Sequence, residues 1–258
     1  MTESILRTIV EETRAAISAG RYAPREAPAG TPEGARFSGS LREPGTRIIA
    51  ELKRRSPSAG EISPHLDRRI ETFALAYRRG HAAAISVVTE RSFFGGDPEW
   101  IVRARKISGL PVLMKDFVVE ERQLDFAASY GADAVLLIAA ILDDEALRRL
   151  MAGAAERGLA VLVEAHDAGE IRRAAAAGAA IVGVNARDLR SFSVDLAGAA
   201  ALAGAISETA VRVAESGISS RADVERLAAA GFGAFLVGEA LLRSEDPEET
   251  LRVLRGAA

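Results

Sequence analysis

Glu51 and Lys53 stand two residues apart where an apolar run ends, in the stretch Ile48 to Gly60 written IIAELKRRSPSAG. The run reads as a buried strand emptying into a tight loop of Ser56, Pro57, Ser58 and Gly60, and a period of two puts both charges on one side. If that side faces a pocket, an acid and a base are held together at a rigid strand end. If it does not, they are an ion pair that only caps the sheet.

The residues that follow the later apolar runs extend the set. They are Thr89 and Glu90, Lys115 and Asp116, Glu164, Asn185 and Arg187, Glu215 with Ser216 and Gly217, and Gly238 with Glu239. Opposite charges at short range keep lysine protonated and carboxylate ionised at neutral pH. A site that both donates and removes protons needs such a mixture.

Two glycine exits, in ESGI and LVGEALLR, can expose backbone N–H groups, and a short helix is expected after Gly238. With Ser56 and Arg187 they favour a phosphate monoester at one side of the site. Glu239 would repel such a group and is expected to turn towards the helix exterior. Phe93 and Phe94 in SFFGGDPEW, and Phe117, either fill loop cores or form an apolar wall for a planar part of a substrate.

Other chemistries lack their signatures. His65, His81 and His166 have no ligand spacing, so no metal centre is expected; His166 alone lies near a strand exit, where it can fix the loop after Glu164 by hydrogen bonding. There is no nucleophile elbow and no phosphate loop ending in Gly-Lys-Ser. Nothing marks a nicotinamide or flavin site, and no cofactor is expected.

Scattered residues of this kind need a scaffold that gathers them. Short apolar segments recur at Arg47–Ala50, Ala83–Val88, Pro111–Met114, Ala132–Ile138, Leu159–Val163, Ala180–Val184, Ala210–Ala214 and Ala234–Val237. Stretches with helical spacing lie between them, among them Ile70–Arg79, Glu121–Tyr130, Asp144–Arg157, Ala168–Ala177 and Ser220–Ala230. Gly80, Gly131, Gly158, Gly178 and Gly231 sit just before the next apolar segment, where a helix end wants a residue that tolerates positive φ.

Eight strands alternating with helices predict an α/β fold, a (β/α)8 TIM barrel, whose catalytic groups come from the C-terminal ends of different strands. An open doubly wound sheet is the competing fold, but RRSPSAG after the first strand lacks the dinucleotide-loop spacing. Residues 1–258 read as a single barrel domain, with 1–45 as an N-terminal extension. In that extension residues 4–19 carry Ile5, Leu6, Ile9, Val10 and Ile17 at helical spacing, and Gly20 to Gly45 reads as a connector with a short helix near Phe37 to Leu41.

Composition narrows the function classes. Thirty-three Lys and Arg against 36 Asp and Glu give a formal charge of -3, no global basic field for a nucleic acid. The absence of cysteine excludes disulfides and thiol chemistry, and a reducing cytoplasm fits. MTESILRTIVEETR is neither a signal peptide nor a membrane span, and no other apolar run reaches bilayer length. A cytoplasmic protein without a membrane partner is expected, as a monomer or weak homodimer.

The chain resembles the indole-3-glycerol phosphate synthase family. The resemblance is carried by IIAELKRRSPSAG, ISVVTERSFFGGDPEW, PVLMKDFVVEERQLDFAASYGADAVLLIAAIL, LVEAHDAGEI, IVGVNARDLRSFSVDL, VAESGI and FLVGEALLRSEDP, in this order. It implies a decarboxylating ring closure of 1-(2-carboxyphenylamino)-1-deoxyribulose 5-phosphate to indole-3-glycerol phosphate, carbon dioxide and water, with an N-terminal helix packed over the barrel mouth.

By that resemblance Lys115 is the general acid at the keto oxygen and Glu164 its partner carboxylate. Glu51 and Lys53 match the pair implicated in dehydration. Asn185 and Glu215 match positions that orient sugar hydroxyls and lysines. Ser56, Arg187, Ser216, Gly217 and Gly238 fall on or beside the phosphate site, and Phe117 on the wall of the anthranilate pocket.

Two departures stand out: Ala186 where the family often has Asn, and Ala59 where Lys is frequent. A phosphoribosylanthranilate isomerase-like barrel is the nearest alternative, but its usual pattern has an early Cys that this chain lacks. A catalytically silent phosphate-binding scaffold subunit is the other, and retention of both lysines and the rim glutamates speaks against it.

Overall fold

Eight apolar segments form parallel strands that close on themselves: β1 (Arg47–Leu52), β2 (Ala84–Val88), β3 (Val112–Lys115), β4 (Ala134–Ile138), β5 (Ala160–Ala165), β6 (Ile181–Asn185), β7 (Val211–Glu215) and β8 (Ala234–Val237). The computed structural model describes residues 5–188 and 192–256; Ser4 and Leu189, which belong to stretches singled out in the sequence, lie outside them. β1 pairs with both β2 and β8, which closes the ring. The expected (β/α)8 barrel is the fold observed.

Helices α1 (Ile5–Ser18) and α2 (Gly34–Arg42) precede the barrel. Around it lie α3 (Ile70–Arg79), α4 (Glu99–Ser108), α5 (Arg122–Ser129), α6 (Asp144–Glu156), α7 (Ala168–Ala176), α8 (Leu196–Leu202) and α9 (Arg221–Ala229), then α10 (Glu239–Arg243) and α11 (Pro247–Arg255). Arg55–Ser56 and Gly60–Glu61 pair as a small antiparallel hairpin after β1. No helix among the described residues is long and apolar enough to cross a membrane.

Strand alternation explains how the charges reach the mouth. Ile49, Leu113, Leu162 and Val213 belong to the core cluster inside the barrel. Two residues further along the same strands come Glu51, Lys115, Glu164 and Glu215, which therefore point inward one layer above that core.

The extension has two ends with different tasks. α1 lies over the mouth, with Ile5, Leu6 and Ile9 lining the cavity there. α2 closes the opposite end: Phe37 and Leu41 are buried in the interior cluster, and the Gly34 amide donates to the Gly158 carbonyl just before β5.

The link between them is pinned by Asp133, which is fully buried. It accepts from the Glu33 and Val112 amides and from Arg105, each at 2.8 Å. The segment 20–45 is thus more than a connector.

Gly131, Gly158, Gly178 and Gly231 adopt the expected positive φ, but Gly80 does not: its φ is -75°, and the left-handed residue is His81 at 58°. Gly80 answers a packing demand instead. A β-carbon there would stand 2.8 Å from Leu251 Cβ on α11.

Candidate active site

The mouth holds a cavity of about 390 Å³. Its charged wall is built from Glu51, Lys53, Lys115, Glu164, Asn185, Arg187 and Glu215, and Ser56, Phe117, Ser216, Gly217 and Gly238 border the same space. These twelve residues, all expected from the sequence to form the site, therefore meet at one cavity, whereas Thr89, Glu90 and Phe93 do not line it.

Lys115 Nζ sits between two carboxylates, 3.3 Å from Glu164 Oε2 and 3.6 Å from Glu215 Oε2. Lys53 Nζ lies 2.6 Å from Glu51 Oε1, the contact that a period of two predicts. Glu51, Glu164 and Glu215 are all buried, so the ammonium groups are what makes their charge tolerable.

Burial alone would lower Lys115, but Glu164, Glu215 and Glu51 overcome it and raise the lysine above its ordinary value. Burial would raise Glu164; Lys115, His166 and a hydrogen bond from Asn185 reverse that and hold it low. Glu215 goes the other way. Burial pushes it up to about 8, with Lys115 opposing and Glu164 and Glu51 adding.

The cluster thus pushes its groups in opposite directions, with Glu164 held low and Lys115 and Glu215 raised. Among the described residues neither oxygen of Glu215 has a hydrogen-bond partner.

Glycine at two of these strand positions is dictated by carboxylates. A β-carbon at Gly183 would run into Glu215 Oε1, and one at Gly238 would stand 2.6 Å from Glu51 Oε1. Gly238 is also the residue from which α10 starts. After β7, Ser216 and Gly217 both have positive φ, 68° and 74°. A side chain on Gly217 would collide with Val194 of the facing loop.

The other loops fix the walls. Phe94 and Phe117 pack with ring centroids 6.0 Å apart and form an apolar face of the cavity. Ser56 Oγ accepts from the Ala59 amide at 3.1 Å, which tightens the hairpin after β1. Arg187 donates to the Phe192 carbonyl at 3.1 Å, and its amide donates to Asn185 Oδ1 at 3.0 Å.

Three ring members turn to structural work. Glu90 accepts from the amides of Ser92, Phe93 and Phe94 and folds the loop that presents Phe94. Thr89 donates to Asp116 Oδ2 at 2.5 Å, and Asp116 Oδ1 accepts from Tyr22 at 3.0 Å and the Phe117 amide at 2.8 Å. Burial raises Asp116 to about 6, with the Thr89, Phe117 and Tyr22 bonds opposing.

A family model described as indole-3-glycerol phosphate synthase matches residues 6–254. The chain belongs to that family. It is 45% identical to the indole-3-glycerol phosphate synthase of Micrococcus luteus, over 98% of this chain and 91% of the relative. It is 46% identical to indole-3-glycerol phosphate synthase 2 of Streptomyces coelicolor, over 90% of this chain and 89% of the relative. Among solved structures, 3-hexulose-6-phosphate synthase from Salmonella typhimurium superposes with a TM-score of 0.62 at 17% identity, covering 82% of this chain and 98% of that one, a likeness of fold.

In this member of the family Glu239 borders the cavity, and its carboxylate pairs with Arg243 one turn on along the exposed face of α10, Arg243 Nε lying 2.9 Å from Glu239 Oε1, so its charge is matched. Sequence reading missed Phe192, Ile218 and Arg243, and Ile5, Leu6 and Ile9 as a cavity roof. Phe192 had a signal, five residues past Arg187 in the same motif. The roof residues had only helical periodicity, which does not say what a helix covers.

Proposed function

We propose that this chain catalyses the decarboxylating, dehydrating closure of 1-(2-carboxyphenylamino)-1-deoxyribulose 5-phosphate to indole-3-glycerol phosphate. The observation that carries this reading is Lys115, a charged ammonium between Glu164 and Glu215 inside a cavity with an aromatic wall at Phe94 and Phe117.

The substrate ring lies against Phe94 and Phe117, and the phosphate against the backbone of Ser216, Gly217 and Gly238, with Ser56 and Arg187 beside it. Attack by the ring carbon on the ketone develops charge on its oxygen and disrupts aromaticity. Lys115 donates a proton to that oxygen, and loss of carbon dioxide restores the ring. Glu164 stabilises the charged intermediate, while Asn185 and Glu215 orient sugar hydroxyls and lysines.

Lys53 and Glu51 then assist departure of water: one proton goes to the leaving hydroxyl and one is taken from the adjacent methylene. Counting the protons, the trianionic substrate takes up one proton from solvent as it becomes dianionic product, carbon dioxide and water. A positioned acid contributes about 100- to 10,000-fold.

We further infer that the protein works as one barrel domain in the cytoplasm, as a monomer or weak homodimer. Its lack of cysteine fits a reducing compartment. The test is direct: purified protein and the carboxyphenylamino substrate, followed by indole fluorescence and carbon dioxide release. Stoichiometric formation of both is expected; their absence refutes the proposal.

A further inference from the structure

His166 stands in the wall between two cavities. Glu164 lines the mouth cavity, whereas His166 and Glu170 line a second cleft of about 650 Å³ on the other side of that wall, and Asn185 borders both. The imidazole Nε2 is buried and has no hydrogen-bond partner among the described residues, with Glu164 Oε1 3.6 Å away. At the other edge of the ring Nδ1 faces Glu170 Oε2 at 3.4 Å. That same oxygen accepts from the His166 amide at 2.7 Å, so one carboxylate clamps both the ring and its backbone.

The ring closure creates a charge problem that this arrangement answers. Lys115 is the ammonium paired with Glu164, and Lys115 has to give its proton to the substrate. Glu164 is 2% exposed, and a buried carboxylate stripped of its cation pulls the proton back or takes one from elsewhere. A second cation beside Glu164 relieves both effects.

We propose that His166, clamped by Glu170, serves as an imidazolium that keeps Glu164 ionised while Lys115 is discharged. This role rests on the ring-closing reading above. His166 does not line the mouth cavity, so it is a positioning residue acting through Glu164.

The groups around the ring favour a cation. Glu164 faces it from β5, Asp167 and Glu170 from the start of α7, and Glu215 acts on it from β7. Lys115 on β3 lies beyond Glu164, Asp188 and Asp195 line the cleft from the loop after β6, and α1 contributes only Leu6 to the cleft. Burial opposes charge on the imidazole, but the Glu170 bond and the Glu164, Glu170 and Glu215 carboxylates outweigh it and raise His166 above its ordinary value. Among the influences that lower Glu164, His166 follows Lys115.

The effect has a sign in pH. The imidazolium is present below its raised pKa and disappears as pH rises through it, so the help it gives Glu164 is an acid-side and neutral effect. The experiment is kcat and KM against pH, from about pH 6 to about pH 9, for the wild type, His166→Gln and Glu170→Gln.

His166→Gln is expected to lower kcat about tenfold at about pH 6, the equivalent of one pKa unit, with KM little changed. The deficit then shrinks as pH rises through the raised pKa of the wild-type ring, where that ring also becomes neutral. Glu170→Gln keeps the ring but removes its clamp, so the His166-dependent fall in kcat moves to lower pH. Its imidazole, resolved by NMR among only three histidines, titrates lower than in the wild type.

A deficit of the same factor at every pH, an unchanged profile in either variant, or an imidazole already neutral at about pH 7 overturns the proposal. Should His166→Gln fail to fold, the Glu170→Gln profile and titration decide alone. A wild-type protein that turns over no substrate at all refutes the ring-closing reading instead, while the NMR titration still reports on His166.

Discussion

Gly183 on β6 faces Glu215 on the neighbouring strand β7 so closely that any β-carbon would run into Glu215 Oε1. The missing side chain gives the carboxyl its place beside Lys115. Gly183→Ala is expected to push Glu215 out of that place. We predict a loss of about 1–3 kcal/mol in stability from overpacking and a kcat at least about tenfold lower, about one pKa unit's worth of altered interaction. Denaturant unfolding and steady-state kinetics check both, and wild-type values in both would show that the contact is relieved without consequence.

Glu215 should also leave a mark on stability against pH. Its carboxyl is raised to about 8 from an ordinary 4.5, chiefly by burial. The folded state therefore keeps a proton that the unfolded chain releases. The stabilisation is complete below the ordinary value and is lost as pH rises through about 8. Denaturant unfolding across that window should show the wild type losing stability relative to Glu215→Gln; a constant difference would contradict the assignment.

Tyr22 ties the exit of α1 to the strand end that carries Lys115, through its bond to Asp116 and an edge-on contact with Phe126 at 5.1 Å. Tyr22→Phe removes the bond and keeps the ring. About 1 kcal/mol of stability should be lost, and KM should rise more than kcat falls, because α1 roofs the cavity without touching the reacting groups. A kcat defect at unchanged KM would place Tyr22 in the chemistry instead.

Much of this site was legible in the sequence because strand alternation is strict. Glu51 and Lys53 share a face by their spacing, and Glu164 and Glu215 each follow a short apolar run of strand length. Closure of eight such strands turns sequence separation into proximity.

What stayed hidden depends on long-range placement. GARFSGSLR offers only Phe37 and Leu41 as an apolar pair, and nothing local says that they plug the barrel floor. Asp133 looked like any acid after a helix, yet its partners include an amide 100 residues earlier. Gly80 matched a helix-end pattern, but its glycine is demanded by Leu251 at the far end of the chain.

The central claim is that Lys115 is the acid of the ring closure, and turnover by Lys115→Ala tests it most directly. With circular dichroism confirming a folded barrel, formation of indole-3-glycerol phosphate should fall about 100- to 10,000-fold. Turnover near that of the wild type in the same folded variant would contradict the account.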